Sequence, residues 1–130
     1  MGLDQFFFKC KKGVKPDDEE TDLQEIGYFR KANFLRKWLI DNTGYKEDGN
    51  LIYHKLDKED IGELLMIATH VFTYPSVAEE FLPTQDGFFF GNTEYDEDYY
   101  YKVGCLIKTL AAILVDTDWE KEDVYYHEWW

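Results

Sequence analysis

Two aromatic runs stand at opposite ends of this sequence, Gln5–Phe8 and Val124–Trp130. Both are rich in residues that favour extended backbone. Neither has another long strand-like run near it in the chain, so each is the other's natural pairing partner. Each ring can bury about 150–250 Å², so a seam between the two runs would tie down both ends and carry much of the stability. Three helical segments lie between them. The expected fold is α+β: three main helices packed on a small antiparallel sheet that pairs the N- and C-terminal strands. A chain of 130 residues is expected to form a single domain, 1–130.

Between the ends, periodicity and punctuation place the elements. Gly2 to Lys12 reads as the first strand, and Gly13 to Asp22 as a loop with the acidic run Asp17–Glu20. A first helix is expected from about Leu23 to Asn42, with Tyr28, Ala32, Leu35 and Leu39 facing the core at spacings of four, three and four. On that wheel Arg30, Asn33 and Lys37 oppose the core and Arg36 borders the apolar stripe. Asn42-Thr43-Gly44 stops the helix. Leu51–Lys55 suits a short extended piece. Asp57 is a good N-cap for a second helix, with Glu59 and Asp60 complementing its dipole. Its core stripe is Ile61, Leu64, Leu65, Ala68, Val71 and Phe72, and Tyr74-Pro75 ends it. Val77–Leu82 suits one more helical turn. Phe88-Phe89-Phe90, bracketed by Gly87 and Gly91, suits a short strand or a tightly packed loop. A third helix from Asp96 or Glu97 to Leu114 carries Tyr99, Val103, Leu106, Leu110 and Ile113 on one face.

Charge then narrows the function classes. Fourteen Lys and Arg face 27 Asp and Glu, a net charge of −13. Such a chain repels a phosphate backbone, so coating duplex DNA is excluded. Cys10 and Cys105 are too few and too far apart for a disulfide framework and read as reduced thiols. No apolar run is long enough to span a bilayer, and no signal peptide is recognisable. The expectation is a cytoplasmic protein with no membrane partner. No HExxH, GxSxG, P-loop or dinucleotide fingerprint is present around His54, His70, His127 or elsewhere. Neither catalytic residues nor a metal or cofactor are therefore expected.

Three stretches resemble a known family. They are the start Met1-Gly2-Leu3-Asp4, the motif Gly27-Tyr28-Phe29-Arg30-Lys31-Ala32-Asn33 continuing to Trp38, and the long stretch from Glu80 through Pro83-Thr84-Gln85-Asp86-Gly87-Phe88-Phe89-Phe90-Gly91-Asn92-Thr93-Glu94-Tyr95-Asp96 to Glu97. With the closing Tyr-Tyr and Trp, they are similar to a family of small phage and prophage proteins. Gln5-Phe6 departs from the Met and Tyr more often found there. The resemblance implies a phage origin and a compact cytosolic domain. It carries no reaction class.

Two constellations are candidates for ligand or partner binding. The first flanks the aromatic loop: Thr84 and Gln85 before Phe88 and Phe89, then Asn92, Thr93, Glu94, Tyr95 and Asp96 after them. Apolar rings with a few placed polar groups are the chemistry of a small-ligand pocket. The same residues also make a structural turn, with Asp96 or Thr93 capping the third helix and Gln85 holding the loop. The second is the basic set Arg30, Lys31, Arg36 and Lys37, with Asn33 among them. It would hold a phosphate or carboxylate, or be a solvated face paired with acids.

The expected function is that of a phage-encoded, non-enzymatic binding protein acting in counter-defence. It would inhibit a host immune protein by laying its acidic surface on a basic, nucleic-acid-binding groove. The alternative is sequestration of a small anionic nucleotide by Arg30, Lys31 and Lys37 with the aromatic loop stacking a base, best placed between subunits of a homo-oligomer. Further alternatives are a carboxylate-held metal enzyme or an accessory phage structural protein.

Overall fold

A computed structural model describes residues 2–130; Met1, the first residue of the family-like start, lies outside the described residues. The chain builds an antiparallel sheet of four strands, β1 (Asp4–Lys11), β2 (Gln24–Arg30), β3 (Tyr53–Leu56) and β4 (Glu122–Trp129), in the order β2-β1-β4-β3. The helices are α1 (Asn33–Thr43), α2 (Lys58–Thr73), the single turn α3 (Ala78–Phe81) and α4 (Glu97–Asp116). The terminal strands pair as expected, Asp4 opposite Trp129 and Lys11 opposite Glu122. The fold is α+β, with α1, α2 and α4 the long helices.

Alternation along β1 and β4 sorts their side chains between two faces. Phe7, Tyr126, Val124, Phe29 and Leu56 point inward and join the helices in one core. Phe6, Phe8, Tyr125 and His127 take the other parity and stay outside that core. The seam therefore sends only Phe7 and Tyr126 of its aromatics into the core, not all of them.

The helix starts explain themselves. The Asp57 side chain accepts from the Asp60 N–H at 2.8 Å while the Asp60 carboxylate accepts from the Asp57 N–H at 3.1 Å, a reciprocal box that satisfies two orphan donors. Asp96 caps α4 by accepting from the Tyr99 N–H at 3.0 Å. All five expected core positions of α4 are buried. In α2, Ile61, Leu64, Ala68 and Val71 are buried, whereas Phe72 is half exposed and lies against Gly104 of α4.

The first helix is shorter than its periodicity predicts. Residues Gln24–Arg30 form β2, and α1 begins only at Asn33. Tyr28 sits four residues before Ala32 by coincidence; it lies opposite Phe6 on the outer face and is 49% exposed. Two things disguise the strand. Gly27 interrupts its β-prone run, and the β1–β2 register shifts between Phe7 and Phe8, which breaks strict alternation. The junction after β2 is held from the side. The Gln5 amide donates to the Ala32 carbonyl at 2.9 Å and accepts from its N–H at 2.8 Å, and Lys31 takes a left-handed φ of 56°. At the other end Gly44, at φ 75°, closes α1 where the sequence places its stop.

Gly27 is required by a close approach. A Cβ there would stand 2.7 Å from the Thr109 methyl of α4 and 3.1 Å from the Phe7 ring. Gly27→Ala is expected to destabilise by about 1–3 kcal/mol, the usual range for overpacking. Urea unfolding followed by circular dichroism would register this as a lower midpoint at unchanged slope.

Candidate functional site

The loop from Pro83 to Asn92 lies over α1 and is pinned by one side chain. Asn33 is buried, at 3% exposure. Its amide donates to the carbonyls of Phe90 and Asn92, both at 2.9 Å, and its oxygen accepts from the Gln85 N–H at 3.1 Å. A helix begun at Leu23 turns Asn33 outward; α1 begins ten residues later and buries it. Thr84 tightens the loop base, its hydroxyl donating to the Thr93 carbonyl at 2.9 Å and its N–H to the Tyr95 hydroxyl at 3.2 Å. Asn92 accepts from the Glu94 N–H at 3.0 Å. Of the two expected caps for α4, Asp96 serves and Thr93 does not. Phe88, Phe89 and Phe90 form a turn rather than a strand. Phe90 is buried, Phe89 half-buried, and Phe88 stands 94% exposed.

Beneath the loop lies a buried polar network that sequence reasoning did not find. Arg36 and Glu128 are 2% and 0% exposed. The Arg36 Nε donates to the Glu128 carboxylate at 2.7 Å, one Nη donates to the Gln85 amide oxygen at 2.9 Å, and the other to the Glu47 carbonyl. The guanidinium lies over the Phe90 ring, 4.7 Å from its centre. Glu128 also accepts from the Tyr126 hydroxyl at 2.8 Å and the Trp130 Nε1 at 2.7 Å, and Gln5 donates to Tyr126 at 2.9 Å. Burial pushes the Tyr126 hydroxyl well above its ordinary range, so it stays a donor. The only sequence signals were Arg36 at the edge of an apolar stripe and Gln5 and Glu128 at inward strand positions.

The expected basic patch does not assemble. Arg36 is inside. Arg30 pairs with Asp4 at 2.8 Å, and Lys37 pairs with Asp41 one helical turn on at 3.0 Å. The hydrogen bond from Tyr28, helped by Arg30, holds the Asp4 carboxyl below the usual carboxylate range. Lys31, Asn33, Thr84, Asn92, Glu94 and Asp96 do line one cavity, of about 290 Å³, together with Asp98 and Lys102. Arg30, Lys37, Gln85, Phe88, Phe89, Thr93 and Tyr95 do not line it. Two lysines there face three carboxylates, which disfavours an anion. A larger concavity, about 990 Å³, lies between the end of β1, the loop after it and residues 118–122. Lys9, Lys11, Lys15 and Lys121 face Asp18, Glu20, Asp22, Asp118 and Glu122 around it, so its charges nearly cancel. Among the described residues no cluster of His, Cys, Asp or Glu is arranged to hold a metal ion, and no helix is long and apolar enough to cross a membrane.

The outer face of the sheet is the second feature the sequence did not foretell. Tyr28, Phe6, Phe8, His127 and Tyr53 form a continuous row of rings, from Phe6–Tyr28 at 5.2 Å through Phe6–Phe8 at 5.5 Å to the Tyr53–His127 stack at 4.1 Å. Burial among these rings lowers the His127 pKa below the ordinary histidine value, so the ring joins the row as a neutral aromatic at neutral pH. Trp129, 62% exposed, extends the row along β4. The charges on this face balance. Arg30, Lys12 and Lys55 stand against Asp4, Asp123 and Glu25. Comparison of the chain with known protein families, with curated proteins and with solved structures finds no match.

Proposed function

We propose that the chain is a phage-encoded, non-enzymatic binding protein that acts in the cytoplasm of an infected bacterium. Its occupant role is to lie on the basic, nucleic-acid-binding groove of a host defence protein and block it. The observation that carries this reading is the segregation of charge. The outer sheet face holds three cations and three carboxylates, and Arg36 and Glu128 cancel inside, so the entire surplus of −13 lies on the helical side and the loops. Exposed acids there include Asp17–Glu20 and Glu94, Glu97 and Asp98 at the start of α4. An exposed acidic surplus of this size steers a molecule toward a positive groove and speeds encounter. Nucleotide sequestration by Arg30, Lys31 and Lys37 has less support, because Arg30 and Lys37 already pair with carboxylates within the chain and Lys31 lines a cavity with Glu94, Asp96 and Asp98.

A pull-down from bacterial lysate, followed by titration of the captured partner against NaCl, tests the reading. Affinity is expected to fall about tenfold or more as salt rises from about 0.05 to 0.2 M, since screening shortens the reach of surface charge to about 8 Å. Changing Asp17, Asp18, Glu19 and Glu20 to their amides should flatten the slope. A partner bound with no salt response would sink the groove-blocking role.

A further inference from the structure

We infer that the groove between α1, α2 and α3 receives an arginine side chain of the protein partner. A cavity of about 350 Å³ lies there, within the range of about 300–1,000 Å³ that holds small ligands. Helical spacing builds two of its walls. On α1, Trp38, Asp41 and Asn42 stand at i, i+3 and i+4 and share one face; on α2, Glu63, Met66 and Ile67 repeat the pattern. Glu80, Phe81 and Pro83 close the third side. Each wall therefore sets a carboxylate beside an apolar surface.

Charge begins to select the occupant. The two cavities described above mix acids with lysines, whereas among the described residues no Lys, Arg or His lines this one. Asp41 has Lys37 at 3.0 Å, but Glu63 and Glu80 make no ion pair or side-chain hydrogen bond among the described residues. The apolar walls then favour a cation on an organic stem over a metal ion. Met66 is 64% and Phe81 38% exposed, surface that a methylene stem covers and a hydrated ion does not. The Trp38 indole adds the last constraint. Trp38 is only 5% exposed, and its N–H donates to no described residue. Yet that N–H is not sealed, since the Thr117 hydroxyl is the only closed-off, unpartnered side-chain group among the described residues. The small exposed part of Trp38 therefore includes the N–H and opens on the cavity that Trp38 lines, where the donor needs an acceptor. A simple amine carries no acceptor. An arginine residue of a polypeptide meets all of these demands. Its carbonyl accepts from the indole, its methylenes cover the apolar walls, and its planar guanidinium meets Glu63 and Glu80 while stacking on a ring. That the arginine belongs to a host protein rests on the groove-blocking role proposed above; the chemistry of the cavity does not.

Titration of the ¹⁵N-labelled chain with N-acetyl-L-arginine amide at fixed ionic strength tests this. The Trp38 indole N–H resonance, assigned by its loss in Trp38→Phe, should shift saturably with a Kd on the order of 1 mM, the scale for a ligand of this size. The uncharged isostere N-acetyl-L-citrulline amide should bind about tenfold more weakly or worse. Glu63→Gln combined with Glu80→Gln should weaken arginine amide by about tenfold. Both positions are exposed, so the far-ultraviolet dichroism should not change. Absence of a saturable shift overturns the inference. So does a shift that citrulline amide reproduces or that the double substitution leaves unaltered, and N-acetyl-L-lysine amide binding as tightly overturns the choice of arginine. The salt titration of a captured partner stands or falls separately, because it reads surface charge while the indole resonance reads this cavity.

Discussion

Glu128→Ala is expected to cost about 3–5 kcal/mol of folding stability, because it leaves the Arg36 guanidinium buried without its counter-charge. Domains of this size are stable by only about 5–15 kcal/mol, so a large part of the total is at stake. The damage would spread beyond the pair. Glu128 also satisfies Tyr126 and Trp130, and Arg36 in turn holds Gln85 and the Glu47 carbonyl. One carboxylate thus links β4, α1, the aromatic loop and the segment before β3. Glu128→Gln retains an acceptor and should cost less. Arg36→Met combined with Glu128→Ala should cost less than the sum of the two single changes, since neither then strands a buried charge. Urea unfolding of the four proteins measures the coupling. A loss below about 1 kcal/mol for Glu128→Ala would mean that the pair is worth no more than a solvated one.

That network also explains what could be read from the sequence and what could not. α2 and α4 were legible because their signals are local: a cap, acids in the first turn, a stripe within a few turns. The pairing of the terminal strands was legible because each run lacked any other partner. β2 was not, since a strand with a central glycine and a shifted register loses its alternation, while Tyr28 happened to continue the spacing of α1. The site failed for the same reason. A wheel begun at Leu23 sends Asn33 outward and Arg36 to the border, whereas a helix begun at Asn33, under a loop and beside β4, buries both. Arg36 meets a carboxylate 92 residues away and Asn33 meets carbonyls 57 and 59 residues away. Separations of that order are set by topology, which local pattern does not encode.

The aromatic loop can be separated from the acidic surface by releasing its pin. Asn33→Ala removes the donor to two carbonyls and the acceptor for the Gln85 N–H. Each buried group left unpaired costs about 1–3 kcal/mol. Asn92 is exposed and Gln85 half-buried, so water can reach their backbone groups, whereas Phe90 is buried. The expected loss is therefore about 2–4 kcal/mol rather than the full sum of three. It should be concentrated locally. Hydrogen exchange at Gln85 and Phe90 should speed up by more than at α2 or α4, whose own ladders and caps are untouched. Asn33→Asp should be worse, because it turns a carboxylate oxygen toward two carbonyls. Phe88, the most exposed ring, sits on this loop and would lose its fixed position. If the acids carry partner binding, the folded Asn33→Ala protein keeps its affinity and salt slope for the captured partner. If affinity drops while the salt slope stays, the loop and its exposed phenylalanine add to the contact that the acids make; if the slope is lost as well, the role assigned to the acids is wrong.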